Sequence, residues 1–93
     1  MSRQETAEIV ALQAFAWLAA NDDLLPIFLG STGASLDDLP RSARNVEFLA
    51  SVLDFLLMDD EWIIACCDAQ GLPYEALREA RAGLPGAEQH HWT

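Results

Sequence analysis

The sequence predicts an all-α protein, a compact six-helix domain built from two pseudo-repeated three-helix units. Apolar residues recur at helical spacing through much of the chain, and no stretch alternates between apolar and polar residues with a period of two. A common pattern also recurs without a gap 38 residues later, so that Asp22 and Gly33 correspond to Asp60 and Gly71. In both copies an apolar helix, an acidic break, a short apolar helix and a glycine follow in order. Self-similarity with such a period indicates repeated supersecondary units.

The repeat sets the expected domain organisation. The two units are residues 1–44 and 45–84 of a single domain, residues 1–86, and residues 87–93 are expected to form a flexible tail. A unit of about 40 residues is too small to bury an adequate core alone. We therefore expect the two units to pack together through the first and fourth helices.

The first helix is predicted to run from Ser2 to about Ala20. Ser2 and Glu5 have the spacing of a capping box. The apolar run inside this helix is similar to the middle of a signal peptide, but Glu5 and Glu8 remove the positive flank, and the run is too short to span a bilayer. We therefore interpret this segment as a core helix and expect no membrane partner.

Two short helices are predicted next. Asn21, Asp22 and Asp23 end the first helix, and Asp23 is the expected N-cap of a second helix from Leu24 to Leu29. The glycines that follow are its expected stop signals. A brief third helix is expected around Leu36 to Leu39, because a serine precedes it at a capping position.

The second unit repeats this order with longer helices. After an Asn45 cap, the fourth helix is predicted from Val46 to about Met58, and the fifth from about Glu61 to Ala69. The sixth is expected to start at Pro73 and to end before Gly83.

The helical periodicity assigns sides to these helices. The positions expected to be buried are Trp17, Leu18, Leu49, Val52, Leu53, Leu56 and Ile63. The opposite side of the fourth helix carries a stripe made of Glu47, Ser51, Asp54 and Met58, and Asp54 is therefore expected at the surface.

The repeat maps that stripe onto the first helix, where it has a different character. The equivalent positions are Ile9, Gln13, Ala16 and Ala20. If the units are equivalent, this small and mostly apolar line also faces outward, where it suits a contact with a partner protein or a second copy. The alternative is that asymmetric packing, or the acidic tail, covers it.

Composition excludes several classes of partner. Over half of the 93 residues are apolar, and the formal net charge is −10, with arginine supplying all five basic residues. Such a balance repels phosphate backbones and anionic membrane surfaces, so nucleic acid is not an expected partner. A basic protein partner is compatible with it.

The only two cysteines, Cys66 and Cys67, are adjacent and do not form a disulfide framework. A reduced, cytoplasmic thiol pair fits best, with Cys66 facing the core and Cys67 turned about 100° away on the helix. A redox or metal-binding role for the pair is the alternative.

No catalytic constellation is recognisable. The only histidines, His90 and His91, lie in the expected tail, where weak metal capture is the alternative to a solvated end, and so no histidine base lies inside the domain. The acidic clusters lack the alternating ligand spacing of a calcium loop, and no phosphate-binding glycine loop is present. We therefore expect no enzymatic activity, no cofactor and no metal.

One segment is similar to the modification site of acyl carrier proteins, which are also small, acidic and helical. Residues 33–37 read Gly-Ala-Ser-Leu-Asp, and in those carriers the serine opens a long helix and bears phosphopantetheine. Here Ala34 replaces the acid before Ser35, and Pro40 would interrupt a long helix. An N-cap serine is the simpler interpretation.

Three runs carry a family resemblance, namely residues 11–20 (ALQAFAWLAA), 48–57 (FLASVLDFLL) and 71–73 (GLP). They resemble a family of small proteins of unknown function found mostly in alphaproteobacteria. The resemblance covers roughly residues 7–86 and implies a cytoplasmic bacterial helical protein, with no activity or site residues to transfer. We predict a protein–protein interaction module; the alternatives are an acyl-carrier-like protein and a small enzyme with no recognisable active site.

Overall fold

The computed structural model describes residues 2–33 and 45–84, and every regular element in these ranges is a helix. There are five such helices in these ranges: α1 (Arg3–Ala19), α2 (Leu25–Thr32), α3 (Val46–Leu56), α4 (Asp60–Gln70) and α5 (Ala76–Ala82). The all-α prediction is confirmed. Five of the six expected helices fall in these ranges, and the segment around Leu36 to Leu39, predicted as the third helix, lies outside the described residues.

Helix α1 begins as its sequence predicts. The hydroxyl of Ser2 accepts a hydrogen bond from the backbone N–H of Glu5 at 3.1 Å, which satisfies one of the free donors of the first turn. The helix ends at Ala19, one residue before the expected position.

The predicted Asp23 cap of α2 is wrong, because the N-cap position is Leu24, and the side-chain cap lies in the turn before the helix. The side-chain oxygen of Asn21, not that of Asp23, accepts hydrogen bonds from the N–H groups of Asp23 and Leu24, both at 3.0 Å. Asparagine caps the turn from two residues upstream in this way because its short side chain mimics a backbone carbonyl. Helix α2 then runs through Gly30 and ends only at Gly33, whose φ of +76° is the left-handed conformation that favours glycine.

The second half uses the same local devices at the same 38-residue offset. Asp59 caps α4 through the N–H of Glu61, as Asn21 caps the turn before α2, and Gly71 ends α4 with a φ of +68°. The elements nevertheless differ in length, since α2 has 8 residues and α4 has 11. The equivalence of the two units stays a prediction.

Two boundaries of the second half differ from expectation by two residues or more. Helix α3 ends at Leu56, two residues early, and α5 begins at Ala76 instead of Pro73. Pro73 instead opens a turn, in which its carbonyl accepts a hydrogen bond from the N–H of Ala76 at 3.0 Å.

The core lies around α1 and α3. Helix α1 packs against α3, α4 and α5, and α3 also contacts α2, α4 and α5. Of the seven residues expected in the core, six are buried, and Trp17 is only half-buried. Small residues on α1 let α5 approach closely: a Cβ placed on Gly83 would lie 3.0 Å from that of Ala7.

A series of five contacting aromatic rings, which the periodicity did not reveal, joins four of the helices. Its rings follow the order Phe15, Phe48, Phe28, Phe55 and Trp62, with successive centroids 4.9–5.7 Å apart. Three of the four contacts are edge-to-face, the geometry that the ring quadrupole favours. Phe28, fully buried, anchors the short helix α2 to α3 in this way.

Candidate functional site

The outward side of α1 is the candidate site. The four residues that the repeat mapped to it are all exposed, and Ile9 retains 44% of its accessible surface. Leu12, 41% exposed, and Ala19 extend the same side. We define the α1 face as the set of six exposed residues Ile9, Leu12, Gln13, Ala16, Ala19 and Ala20.

The helix presents this face because its other side is already committed to the core. The residues that α1 buries are spaced at helical intervals and are Ala7, Ala11, Ala14 and Leu18. Helix α1 is therefore apolar on both sides, which is typical of a helix that is covered all round. At the margin of the face, the side-chain amide of Gln70 donates a hydrogen bond to the backbone carbonyl of Gln13 and links the end of α4 to α1.

The α1 face carries no ionisable side chain. Residues 9–21 contain no acid and no base, although the chain as a whole has a net charge of −10. Glu5 and Glu8 precede this stretch, and Asp22 and Asp23 follow it. The face is thus an uncharged surface with acids at both ends.

The equivalent stripe on α3 has a different environment. Glu47 and Met58 are exposed, but Asp54 is only half exposed and accepts a hydrogen bond at 2.7 Å from Nε of Arg81 on α5. Asp54 lies at the surface as expected, but α5 packs beside it, and its pairing with Arg81 was not predicted. No local pattern could have revealed this pair, whose members are 27 residues apart.

Arg81 is the buried charged residue of the described core. It is 8% exposed, and its Nη1 has no hydrogen-bond partner among the described residues. A buried guanidinium is costly unless it is paired, so the contact with Asp54 is what makes its position tolerable.

The thiols of Cys66 and Cys67 are both fully buried. The expectation that Cys67 turns away from the core was wrong, because α4 packs against both α1 and α3 and is covered on two sides. Burial raises the pKa of the Cys66 thiol to about 12, and the pKa of Cys67 is also raised, first by burial and then by Asp68 and Glu75. The reactive thiolate is therefore disfavoured at neutral pH.

We expect both thiols to resist alkylation in the folded protein at neutral pH and to react fully once urea unfolds it. Rapid labelling of native protein would contradict the burial.

Folding raises the pKa of Cys66 above its ordinary 9.0, so its contribution to stability is complete below about pH 9 and is lost as the pH rises towards 12. The melting temperature should fall over that pH window, and the fall should be smaller in Cys66→Ala.

Two concave regions were not foreseen from the sequence. A groove of about 440 Å³ lies between α1 and α5, with Ala7, Val10, Leu72 and Ala76 among its apolar lining and Arg3 and Glu79 among its charged lining. A cleft of about 320 Å³ lies between α4 and α5 and includes Ile64 and Tyr74.

One polar side chain of that cleft, Tyr74, is engaged in a hydrogen bond. The hydroxyl of Tyr74 donates a hydrogen bond to Asp68 at 2.8 Å, and this bond raises the pKa of Tyr74. In the described part of the chain, no three His, Cys, Asp or Glu side chains come together as metal ligands. The sequence-derived candidates Ser35, His90 and His91 lie outside the described residues.

The fold and its exposed face define a small all-helical domain with an uncharged surface on one helix. Residues 4–87 match the model of a family described as a protein of unknown function, DUF3572. The chain belongs to this family, which confirms that its three sequence runs resemble a family of proteins of unknown function. No curated protein and no solved structure is significantly similar to the chain. Within the described ranges, no helix is long and apolar enough to cross a membrane.

Proposed function

We propose that this protein is a cytoplasmic protein–protein interaction module, without enzymatic activity, that binds its partner through the α1 face. The observation that carries the proposal is the exposure of Ile9 and Leu12 on a stretch free of charge. Contiguous exposed apolar surface on a small protein is typical of an interface. The alanines of the face add no bulk, so a partner helix could approach the α1 backbone closely.

The comparison of α1 with α3 supports the same proposal. At the positions that the repeat makes equivalent, α3 carries Glu47, which is solvated, and Asp54, which pairs with Arg81. The side chains of Ile9 and Ala16 occupy the corresponding places on α1. If the two units are equivalent, only α1 has replaced polar groups by apolar ones on its outward side.

The cytoplasmic assignment rests on a different observation. Cys66 and Cys67 are both free thiols, the state that a reducing compartment maintains. Both are buried among core side chains, which favours a structural role for the pair over a redox role.

Ile9→Asp is expected to abolish partner binding while leaving the thermal melt within about 2 °C of wild type, because Ile9 is exposed and its loss removes little core. Ile64→Asp is the matched control: Ile64 is an isoleucine of the same 44% exposure on another helix, and its variant should bind as wild type does.

The measurement has two arms. Proteins retained from native cytoplasm by wild type, but not by Ile9→Asp, are purified, and their direct binding is quantified by calorimetry with all three forms. Light scattering over a concentration series tests a second copy as the partner. Equal binding by wild type and Ile9→Asp would overturn the proposal, and a collapsed melt of Ile9→Asp would show that Ile9 belongs to the core.

A further inference from the structure

We propose that the partner segment is an amphipathic helix of another protein, with an apolar centre and a basic residue at each end. This inference rests on the proposed function and adds the chemistry of the partner to it. Its basis is the placement of charge around the α1 face, which is uncharged in the middle and acidic at both ends.

The first acidic end is in line with the face. Glu5, Ile9 and Gln13 follow one another at intervals of four residues, so they lie on one side of α1, and all three are exposed. Arg3 lies about 120° around the helix from Ile9 and does not neutralise this end.

The second acidic end is the turn that follows α1 in the chain. Asp22 and Asp23 are exposed in the turn after Ala20, and the capping of that turn is done by Asn21. The carboxylates of Asp22 and Asp23 are therefore not needed for the cap and can face a partner.

The spacing of the two ends defines the length of the matching segment. At 1.5 Å per helical residue, Glu5 and Ala19, the last residue of α1, are separated by about 21 Å along its axis, and Asp22 and Asp23 lie in the turn just beyond. A partner helix that lies nearly parallel or antiparallel to α1 meets both ends when its basic residues are at least about four turns apart. Lysine and arginine suit these places because their long stems can cover apolar surface while their charged groups reach the acids.

The same charges disfavour a second copy of this chain. A parallel pairing of two α1 helices places Glu5 beside Glu5 and the aspartates beside aspartates. An antiparallel pairing places Glu5 beside Asp22 and Asp23. Like charges meet in both arrangements, whereas a helix with basic ends is complementary in either direction.

The test uses the full-length protein and a displayed library of 21-residue helical peptides with an apolar stripe and randomised residues in the first and last turns. Selection is run against wild type and, in parallel, against Ile9→Asp, and only peptides that need Ile9 are retained. We expect lysine and arginine to be enriched at both ends of these peptides. Peptides drawn by net charge alone bind both forms and are removed.

A matched pair of triple variants then locates the charge effect. Glu5→Gln/Asp22→Asn/Asp23→Asn neutralises the two ends of the face, and the selected peptides should bind it about tenfold more weakly at low salt. The control neutralises three exposed acids elsewhere, giving the same net charge, and should change binding less than about twofold; its residues are Glu47, Glu75 and Glu79, each replaced by glutamine.

The outcomes separate the two proposals. Ile9-dependent peptides without basic ends, or equal effects of the two triple variants, overturn the inference on partner charge and leave the proposed function standing. Ile9-dependent association of two copies of this chain also overturns the inference on partner charge and leaves the proposed function standing. A failure to recover any Ile9-dependent peptide overturns the inference, and equal binding of native partners by wild type and Ile9→Asp overturns the proposed function.

Discussion

Leu53→Ala is expected to lower the free energy of unfolding by about 2–5 kcal/mol. Leu53 is fully buried on α3, a helix that packs against every other helix of the described structure. Its truncation removes apolar contacts and leaves a cavity that the surrounding helices fill only in part. Urea denaturation followed by circular dichroism measures the change.

Leu12→Ala is the matched control for that experiment. It makes the same chemical change on α1 at a residue that is 41% exposed, so we expect a loss below about 1 kcal/mol. Similar losses in the two variants would show that α3 is not the centre of the core. A large loss in Leu12→Ala alone would mean that the α1 face is packed within the monomer, and the proposed function would fail with it.

Asp54→Ala is expected to destabilise the protein by about 1–3 kcal/mol. The variant leaves the buried guanidinium of Arg81 without the carboxylate that accepts its Nε–H at 2.7 Å, while Nη1 already has no partner among the described residues. The side chain of Asp54 is 44% exposed, so water can replace part of the lost interaction, and the cost stays below that of breaking a fully buried pair.

A double-mutant cycle tests the physical reason for that loss. In an Arg81→Met background, Asp54→Ala leaves no buried charge without a partner. It should therefore lower the free energy of unfolding by less than about 0.5 kcal/mol. Arg81→Met alone should cost less than Asp54→Ala, because methionine fills much of the same volume without a buried charge. Equal costs of Asp54→Ala in both backgrounds would show that the ion pair contributes nothing.

Much of the local structure followed from the sequence because its causes lie within one or two turns. The Ser2 cap, the Asn45 cap and the glycines that end α2 and α4 depend on neighbours a few residues away. The one cap assigned wrongly, at Asp23, lay in a run of three polar residues that can each cap a helix.

The sides of the helices were predictable only where polarity changes around them. Helix α3 has a continuous apolar side, and the four core residues predicted on it are all buried. Helix α1 is apolar on both sides, so its own pattern could not show which side faces out; the alignment with α3 supplied that information. The outward position of Ile9 and Ala16 was accessible from the sequence in this indirect way.

The sequence by itself determined the helical class, most of the caps and the buried side of α3, because each depends on local spacing and polarity. Only the tertiary structure decided the features that need two distant segments to meet. These are the pairing of Asp54 with Arg81 from another helix, the burial of Cys67 where α4 is covered on two sides, and the position of Phe28 between rings of α3. Their physical cause is packing, which brings together groups whose sequence separation carries no periodic signal.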